Sequence, residues 1–538
     1  MSASAAMKAV LKRVGLLLWW HPWLLTAVLC LLVLLTGVRG PDVPAADLRT
    51  WLVRDHGFVV WNDQWYAGHP TVGYSLLFPG FAALVGVRIA GALSAVAAAF
   101  AAARVVGRGA SASVRAGLMW FSVIIVTEFV CGQLPFLLGV AFASWAALAI
   151  ARQRPMLAAV AAAACSVASP LAGAFLLLGA IAWASAGRWR TALPLSAATV
   201  GVVVAVLAGG GGTFPLSFVT MIPILLLVGL GLYLAPPSYQ ALRRGLLLYG
   251  GVAVVLAFIP TPIGGNIARL GALVAGPIAI AVLWRLRRWA WLALLAIPLL
   301  AWPVSPAVGA IAHNGVDPSR HASYFAGLMT FLDAHRTPYG RVEVPMTRDH
   351  WEAAYVASKF PLARGWERQI DRRYNGLFYD DSLLTPASYE KWLQDNAIRY
   401  VALPDVTLDG AGSGEAALLR SGRVAGLTPV WTDQHWQVWS VAHAAPFISG
   451  VGRLSSIGVD SFTLHIARPG TTVVRLHHSP LWHSSDPTAC ISGTPDGWTQ
   501  ITTPQPGDVT ISARASLSSF VGSLGNGDGA SDAHCSAG

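Results

Sequence analysis

The residues best suited to chemistry lie just beyond the first apolar run. Residues 39–74 read RGPDVPAADLRTWLVRDHGFVVWNDQWYAGHPTVGY. They include Asp42, Asp47, Asp55 and Asp63, together with His56 and His69. A group that takes a proton from a hydroxyl is a carboxylate or an imidazole held against its target, and this segment supplies both. Trp51, Phe58, Trp61, Trp65 and Tyr66 are interleaved with them. Rings alternating with polar residues, as in WNDQWYAGHP, suit a surface that stacks on sugar. The competing reading is a solvated loop, because exposed connections are commonly polar.

Other polar residues fall in Gly- and Pro-rich turns between apolar runs. Gln133 lies in CGQLPF (131–136), and Asn266 and Arg269 lie in PTPIGGNIAR (260–269). SVASPLAG (166–173) and GGGGTFP (209–215) are similar turns. Gly and Pro interrupt helices and free backbone groups, which at membrane depth are tolerated only inside protein or along a cavity. Glu128 stands near the end of an apolar run. Charge there is costly, so Glu128 either has a function or reaches the surface. Arg88 reads as a snorkelling side chain or one with a partner in the bundle. Further along, Arg364, Trp366, Glu367, Arg368 and Gln369 form a second group suited to a glycan. His477, His478, His483 and Asp486 match no metal-ligand spacing, so no metal site is expected. The chain has no phosphate-binding glycine loop, nucleophile elbow or zinc pattern.

What must position these residues is a membrane bundle. Hydrophobic residues make up 55% of the 538, and charged residues 12%, against about 25% charged in soluble domains. Apolar runs of about 20 residues, the length that crosses a bilayer, recur through the first 305 residues. About eleven spans are predicted, at 15–38, 83–106, 114–131, 134–151, 156–168, 170–187, 191–208, 214–234, 245–260, 267–284 and 289–305. Basic residues cluster at every second connection, as at Lys8, Lys12 and Arg13, at Arg152 and Arg154, at Arg243 and Arg244, and at Arg285, Arg287 and Arg288. This alternation predicts a multi-pass cell-membrane protein with a cytoplasmic N-terminus and an extracytoplasmic C-terminal part. The net charge of +11 is then a topology signal, and no nucleic acid is expected as a partner.

The fold class expected is mainly α: a polytopic transmembrane helical bundle followed by an exported α/β plus β-sandwich region. Residues 1–305 form the membrane domain, with 39–74 as its long first outer loop. Residues 306–445 read as an exported α/β domain, with helices at 318–336 and 386–397 and strands at 341–345, 398–404 and 436–441. Residues 446–515, rich in β-branched residues and turn signals, read as a small β domain. The Gly/Ser-rich tail 516–538 reads as disordered. Cys30, Cys131 and Cys165 lie in or beside apolar runs as fillers. Cys490 and Cys535 allow one intrachain disulfide in the exported part.

A first span, a long outer loop with an early Asp, many further spans and a C-terminal exported domain resemble the GT-C superfamily of membrane glycosyltransferases. The stretches that carry the likeness to actinobacterial multi-span proteins of this architecture include PDVPAADLR, WNDQWYAGHPTVGYSLLFPG, GQLPFLLG, TPIGGNIARLG, FPLARGWERQID and LFYDDSLLTPASYEKWL. The resemblance implies a polyprenyl-phosphate sugar as donor and a cell-envelope glycan as acceptor. It implies Asp42, or failing that Asp47, as the base, and Arg269 with Asn266 on the lipid phosphate. Asp55, His56, Trp61, Trp65, His69 and Gln133 would contact substrate. The resemblance assigns no certain cofactor, and a divalent cation is left open. Two other functions compete: a transporter or flippase of an envelope precursor, and a non-catalytic envelope assembly protein.

Overall fold

The structure is a computed structural model that describes residues 3–69, 71, 75–107, 109–208, 211–336 and 339–514. It divides into two compact units. One comprises residues 1–46, 73–207 and 213–316; the other comprises 47–72, 208–212 and 317–538.

The first unit is helical. Its helices are α1 (Ala3–Trp20), α2 (Trp23–Thr36), the start of α3 (Val43–His56), α4 (Phe78–Val85), α5 (Val87–Val106), α6 (Ala112–Cys131) and α7 (Leu134–Ala151). There follow α8 (Pro155–Ala168), α9 (Pro170–Trp183), α10 (Trp189–Ala208), α11 (Phe218–Leu234), α12 (Gln240–Phe258), α13 (Ala268–Arg285) and α14 (Trp289–Asn314). Proline near the start of α7, α8 and α9 suits a first turn whose N–H groups have no helical partner. The Ser169 hydroxyl caps α9 by accepting from the Ala172 N–H. At the far end of α11, Arg243 donates to the Leu232 and Ala235 carbonyls and Arg288 to that of Leu234, which satisfies the orphan acceptors of a helix terminus. The core is built largely from small residues such as Ala90, Ala95, Ala98 and Ala168, all fully buried, and these let helix backbones approach closely.

Among the described residues, seven helices are long and apolar enough to cross a bilayer: α5, α6, α7, a continuous Pro170–Val204, α12, Gly264–Arg285 and α14. The bent pair α1 and α2 would make an eighth. All eleven apolar segments of the sequence are helical, but they do not form eleven equal spans. The first is bent by 109° where Pro22 interrupts it. Two others run together across a break at Ala186 and Gly187. At 14 and 17 residues, α8 and α11 are shorter than the seven spanning helices. The α14 helix carries Pro298, Pro303 and Pro306 and continues to Asn314, so the unit boundary falls at 316 rather than 305.

The second unit is rich in β structure. Strands β1 (Arg341–Glu343), β2 (Ile398–Pro404), β3 (Leu427–Thr432) and β4 (Trp436–Val441) form a sheet in the order β1-β2-β4-β3, with β1 parallel to β2 and the other pairs antiparallel. Helices α15 (Ala326–Ala334), α16 (Glu352–Tyr355), α17 (Arg368–Tyr374), α18 (Pro386–Asp395) and α19 (Gly410–Arg420) accompany it. Thr385 and Ser388 close a capping box at the start of α18. The helix expected over 318–336 is two short 3-10 turns followed by α15. Two antiparallel four-stranded sheets follow. They are built from β5 (Ile448–Gly450), β6 (Gly452–Ile457), β7 (Ser461–Ile466), β8 (Gly470–His477), β9 (Trp482–Ser484), β10 (Cys490–Gly493), β11 (Trp498–Thr503) and β12 (Gly507–Ala513). Their orders are β10-β11-β8-β5 and β6-β7-β12-β9. Alternate residues such as Phe462, Leu464 and Ile466 point into a shared core with Val474, Ile501 and Ile511, as a half-buried strand requires.

The expected outer loop 39–74 is divided between the units, because residues 47–72 pack with the C-terminal part of the chain. Cys490 is disulfide-bonded. Cys535 and the tail 516–538 lie outside the described residues.

Candidate functional site

The first unit is almost devoid of acid. Across residues 1–46, 73–207 and 213–316 the sequence contains two carboxylates, Asp42 and Glu128. Both are influenced by the same cation. Asp42 Oδ2 lies 3.6 Å from Arg269 Nη2, and the Glu128 carboxyl interacts electrostatically with both Arg269 and Asp42. Charge in an apolar bundle is costly unless it is paired or used.

Three local features build this cluster. Gly132 closes α6 in a left-handed conformation, φ +85°, and receives the chain that carries Asp42. The Asp42 N–H donates to the Cys131 carbonyl at 3.2 Å. Gly40 lies so close to that turn that a Cβ there would sit 2.1 Å from the Cys131 carbonyl carbon. Arg269 projects from the first turn of α13, which follows a 3-10 turn over Gly264–Ile267 that includes Asn266. The Arg269 guanidinium also lies 5.9 Å from the Phe136 ring. Gln133 follows Gly132 directly, and its N–H donates to the Glu128 carbonyl at 2.9 Å. Two acceptors here are buried with no hydrogen-bond partner among the described residues: Glu128 Oε2 and Gln133 Oε1. Native interiors satisfy most such atoms, so these two mark a place where a donor belongs.

An apolar cavity of about 440 Å³ runs along one face of α13, from Leu270 and Gly271 to Val282 and Leu283, and is bounded also by Phe175 and Tyr249. Leu270, which follows Arg269 in the chain, lines it.

The other candidates from the first loop are in the second unit, where most of them are structural. Trp61 is 3% exposed and Trp65 1% exposed. Their indole N–H groups donate to the carbonyls of Gly68 and Ala353. Trp61 packs on Trp482 with centroids 4.3 Å apart. These rings are buried rather than presented to solvent, so they offer no stacking surface for sugar. His69 is stacked between Tyr374 and His477, each 3.4 Å away, and His477 in turn lies on Trp498. Burial, then the neighbouring His477, Arg373 and Arg341, drive the His69 pKa well below the usual imidazole range. Burial likewise lowers His477 to about 3. Asp55 is exposed and pairs with Arg54 at 2.9 Å. His56 is exposed and lies edge-on to Trp51. Asp47 is half-buried on α3.

The group around FPLARGWERQID is also internal to the second unit. Arg364 is 2% exposed and is met by Asp371 at 2.7 Å, Glu415 at 3.2 Å and the Ala411 carbonyl. Glu367 pairs with Arg49 at 2.8 Å, and Arg368 with Asp409. Burial raises the carboxyl pKa of both Glu343 and Glu415 beside this hub. It raises Glu352 to about 7, against the pull of His350. Among the described residues no group of three or more His, Cys, Asp or Glu side chains could hold a metal ion.

Of the residues singled out from sequence, Asp42 and Arg269 meet, and Gln133 and Asn266 lie on the turns beside them. Glu128 completes the cluster. Its signal in the sequence is its rarity, as the one acid in the 135 residues of the unit's middle segment, 73–207. No family model matches the chain, and no curated protein matches its sequence.

Proposed function

We propose that the chain is a multi-span membrane glycosyltransferase of GT-C type, which transfers a sugar from a polyprenyl-phosphate donor to a cell-envelope glycan. The observation that carries this reading is the convergence of Asp42 and Glu128 on Arg269, beside the apolar cavity along α13. A lipid phosphate needs a cation for its head and an apolar wall for its tail. A guanidinium suits the head because it donates in pairs to phosphate oxygens. A carboxylate beside it can take the proton of an attacking hydroxyl. The donor reaches the site through the membrane, so no nucleotide fold is needed. The alternation of basic connections supports a cytoplasmic N-terminus and an outer location for the β-rich unit.

The test uses farnesyl phosphate as a short donor analogue in native mass spectrometry of the detergent-solubilised chain. Wild type is expected to retain it, and Arg269→Lys, which keeps the charge but loses the paired donors, to retain less. Equal retention by Arg269→Ala and wild type would remove the reading.

One observation favours a second reading, a lipid carrier. The cavity along α13 extends to Val282, and a second cavity of about 620 Å³ bounded by Arg188, Tyr239 and Gln240 shares Ala241, Leu242, Ile278 and Val282 with it. Cations near both ends of an apolar path suit an anionic lipid that crosses. Movement of a labelled isoprenyl phosphate across proteoliposomes without loss of its sugar would favour that reading.

A further inference from the structure

We propose that Glu128 binds and deprotonates the acceptor hydroxyl, while Asp42 is a positioning residue that holds Arg269. This division of labour rests on the transferase reading above. Asp42 and Glu128 differ in what they already touch. The Asp42 carboxylate is engaged by Arg269, and its backbone is fixed to the Cys131 carbonyl. Glu128 is 7% exposed, and Oε2 has no partner among the described residues. Gln133 Oε1, one turn on, is a second buried acceptor in the same condition.

An acceptor left without a donor in a low-dielectric interior is complementary to an O–H group. Two acceptors on adjoining turns suit a hydroxyl-rich ligand better than an anionic one, which both carboxylates would repel. The anion is left to Arg269. The ionisable groups that face Glu128 are Asp42 ahead of α3, Arg269 on α13 and Cys131 on its own helix. Arg269 thus acts electrostatically on the base and is the cation assigned to the departing phosphate.

In the step proposed, the acceptor hydroxyl oxygen forms a bond to the anomeric carbon of the donor sugar. The bond between that carbon and the phosphate oxygen breaks, and its electron pair leaves with the polyprenyl phosphate. The hydroxyl proton passes to Glu128, and Arg269 offsets the negative charge gained by the phosphate. Each oxygen keeps its valence, and no oxidant or further reactant is required.

The experiment compares Glu128→Gln, Glu128→Asp and Asp42→Asn in the full chain, with a panel of farnesyl-phosphate pentoses and hexoses as donors. Glu128→Gln is expected to bind farnesyl phosphate as wild type does and to lose about 10²–10⁴-fold in kcat, the usual cost of a missing general base. Glu128→Asp keeps the acid one methylene short and should retain part of that rate, which a purely structural role would not require. Asp42→Asn should weaken farnesyl phosphate binding and raise the donor KM, with the smaller effect on kcat. If Asp42→Asn abolishes kcat with binding intact while Glu128→Gln turns over normally, the assignment is overturned and the transferase reading stands. If Glu128→Gln fails to fold, a Glu128→Asp enzyme with unaltered kcat overturns it equally. Consumption of no donor by wild type overturns both.

Discussion

Two arginines, one in each unit, are partnered in opposite ways. Arg364 is 2% exposed and has two carboxylates, a backbone carbonyl and the Phe378 ring around it. Arg269 is 28% exposed and, among the described residues, has one carboxylate contact, at 3.6 Å. Arg364 therefore has no donor to spare for a ligand, whereas Arg269 does. Both were singled out from sequence, Arg364 within a dense polar stretch and Arg269 isolated among apolar residues. Density of polar residues in sequence marked a folding hub, and isolation marked the candidate site.

The comparison breaks first at Arg364. Replacing it with Met leaves Asp371 and Glu415 buried without their cation. Removing one partner of a buried pair costs about 3–5 kcal/mol, so limited proteolysis of Arg364→Met should cleave the second unit while the same treatment of Arg269→Ala leaves both units intact. Equal resistance of the two variants would erase the contrast.

A smaller effect is expected at Gly40. A methyl group there must move the Cys131–Gly132 turn, and overpacking of this kind costs about 1–3 kcal/mol. Gly40→Ala should therefore lower the thermal midpoint modestly and displace Asp42, with farnesyl phosphate retention falling as it does in Asp42→Asn. Full retention would show that the close approach does not position the site.

The second unit should also respond to pH through its buried acids. The folded pKa of Glu352 is raised to about 7, so the folded form binds a proton that the unfolded form has released. Its contribution is fully present below the unfolded value, about 4.5, and is lost as pH rises through about 7, at a slope of about 1.4 kcal/mol per pH unit. His69 and His477 act with the opposite sign. Their pKa values are depressed, so their contribution is present above about 6.5 and is lost as pH falls. Between about pH 4.5 and 7 the wild-type melting temperature should lose more, or gain less, with rising pH than that of Glu352→Gln. An unchanged slope in that variant would assign the effect elsewhere. The smallest expectation concerns the exposed Arg54–Asp55 pair: Asp55→Asn should leave melting and donor retention unchanged, and a loss of retention would return Asp55 to the site.

Much of the architecture is legible in the sequence. Apolar runs located most helices of the first unit, though not α4, and β-branched residues between turn signals located strands such as those in FTLHIA and VTISARA. The count of spans was less legible, since a run of apolar residues reads the same whether straight or bent at Pro22. Asp42 and Arg269 were candidates through the resemblance, Asp42 as the early acid beyond the first apolar run and Arg269 as the Arg of the later Gly- and Pro-rich turns. Their pairing was not legible, because no local pattern links positions 227 residues apart. The loop aromatics misled for a related reason: Trp61 and Trp65 alternate with polar residues, but their burial depends on partners such as Ala353 and Trp482, far along the chain.

Those distant partners bear on how the protein is made. Residues 47–72 leave the ribosome early, yet Trp65 bonds to a carbonyl 288 residues later, Tyr66 to one 301 later, and Arg49 to a carboxylate 318 later. The segment must wait through synthesis of most of the helical unit before its core exists. Contacts this distant slow folding and leave apolar surface open to misassociation. A fragment beginning at Asp317 would lack Trp61, Trp65 and Tyr66 from its interior. The β-rich unit is therefore not a detachable module, and its assembly is a late event that closes over an early piece of the chain.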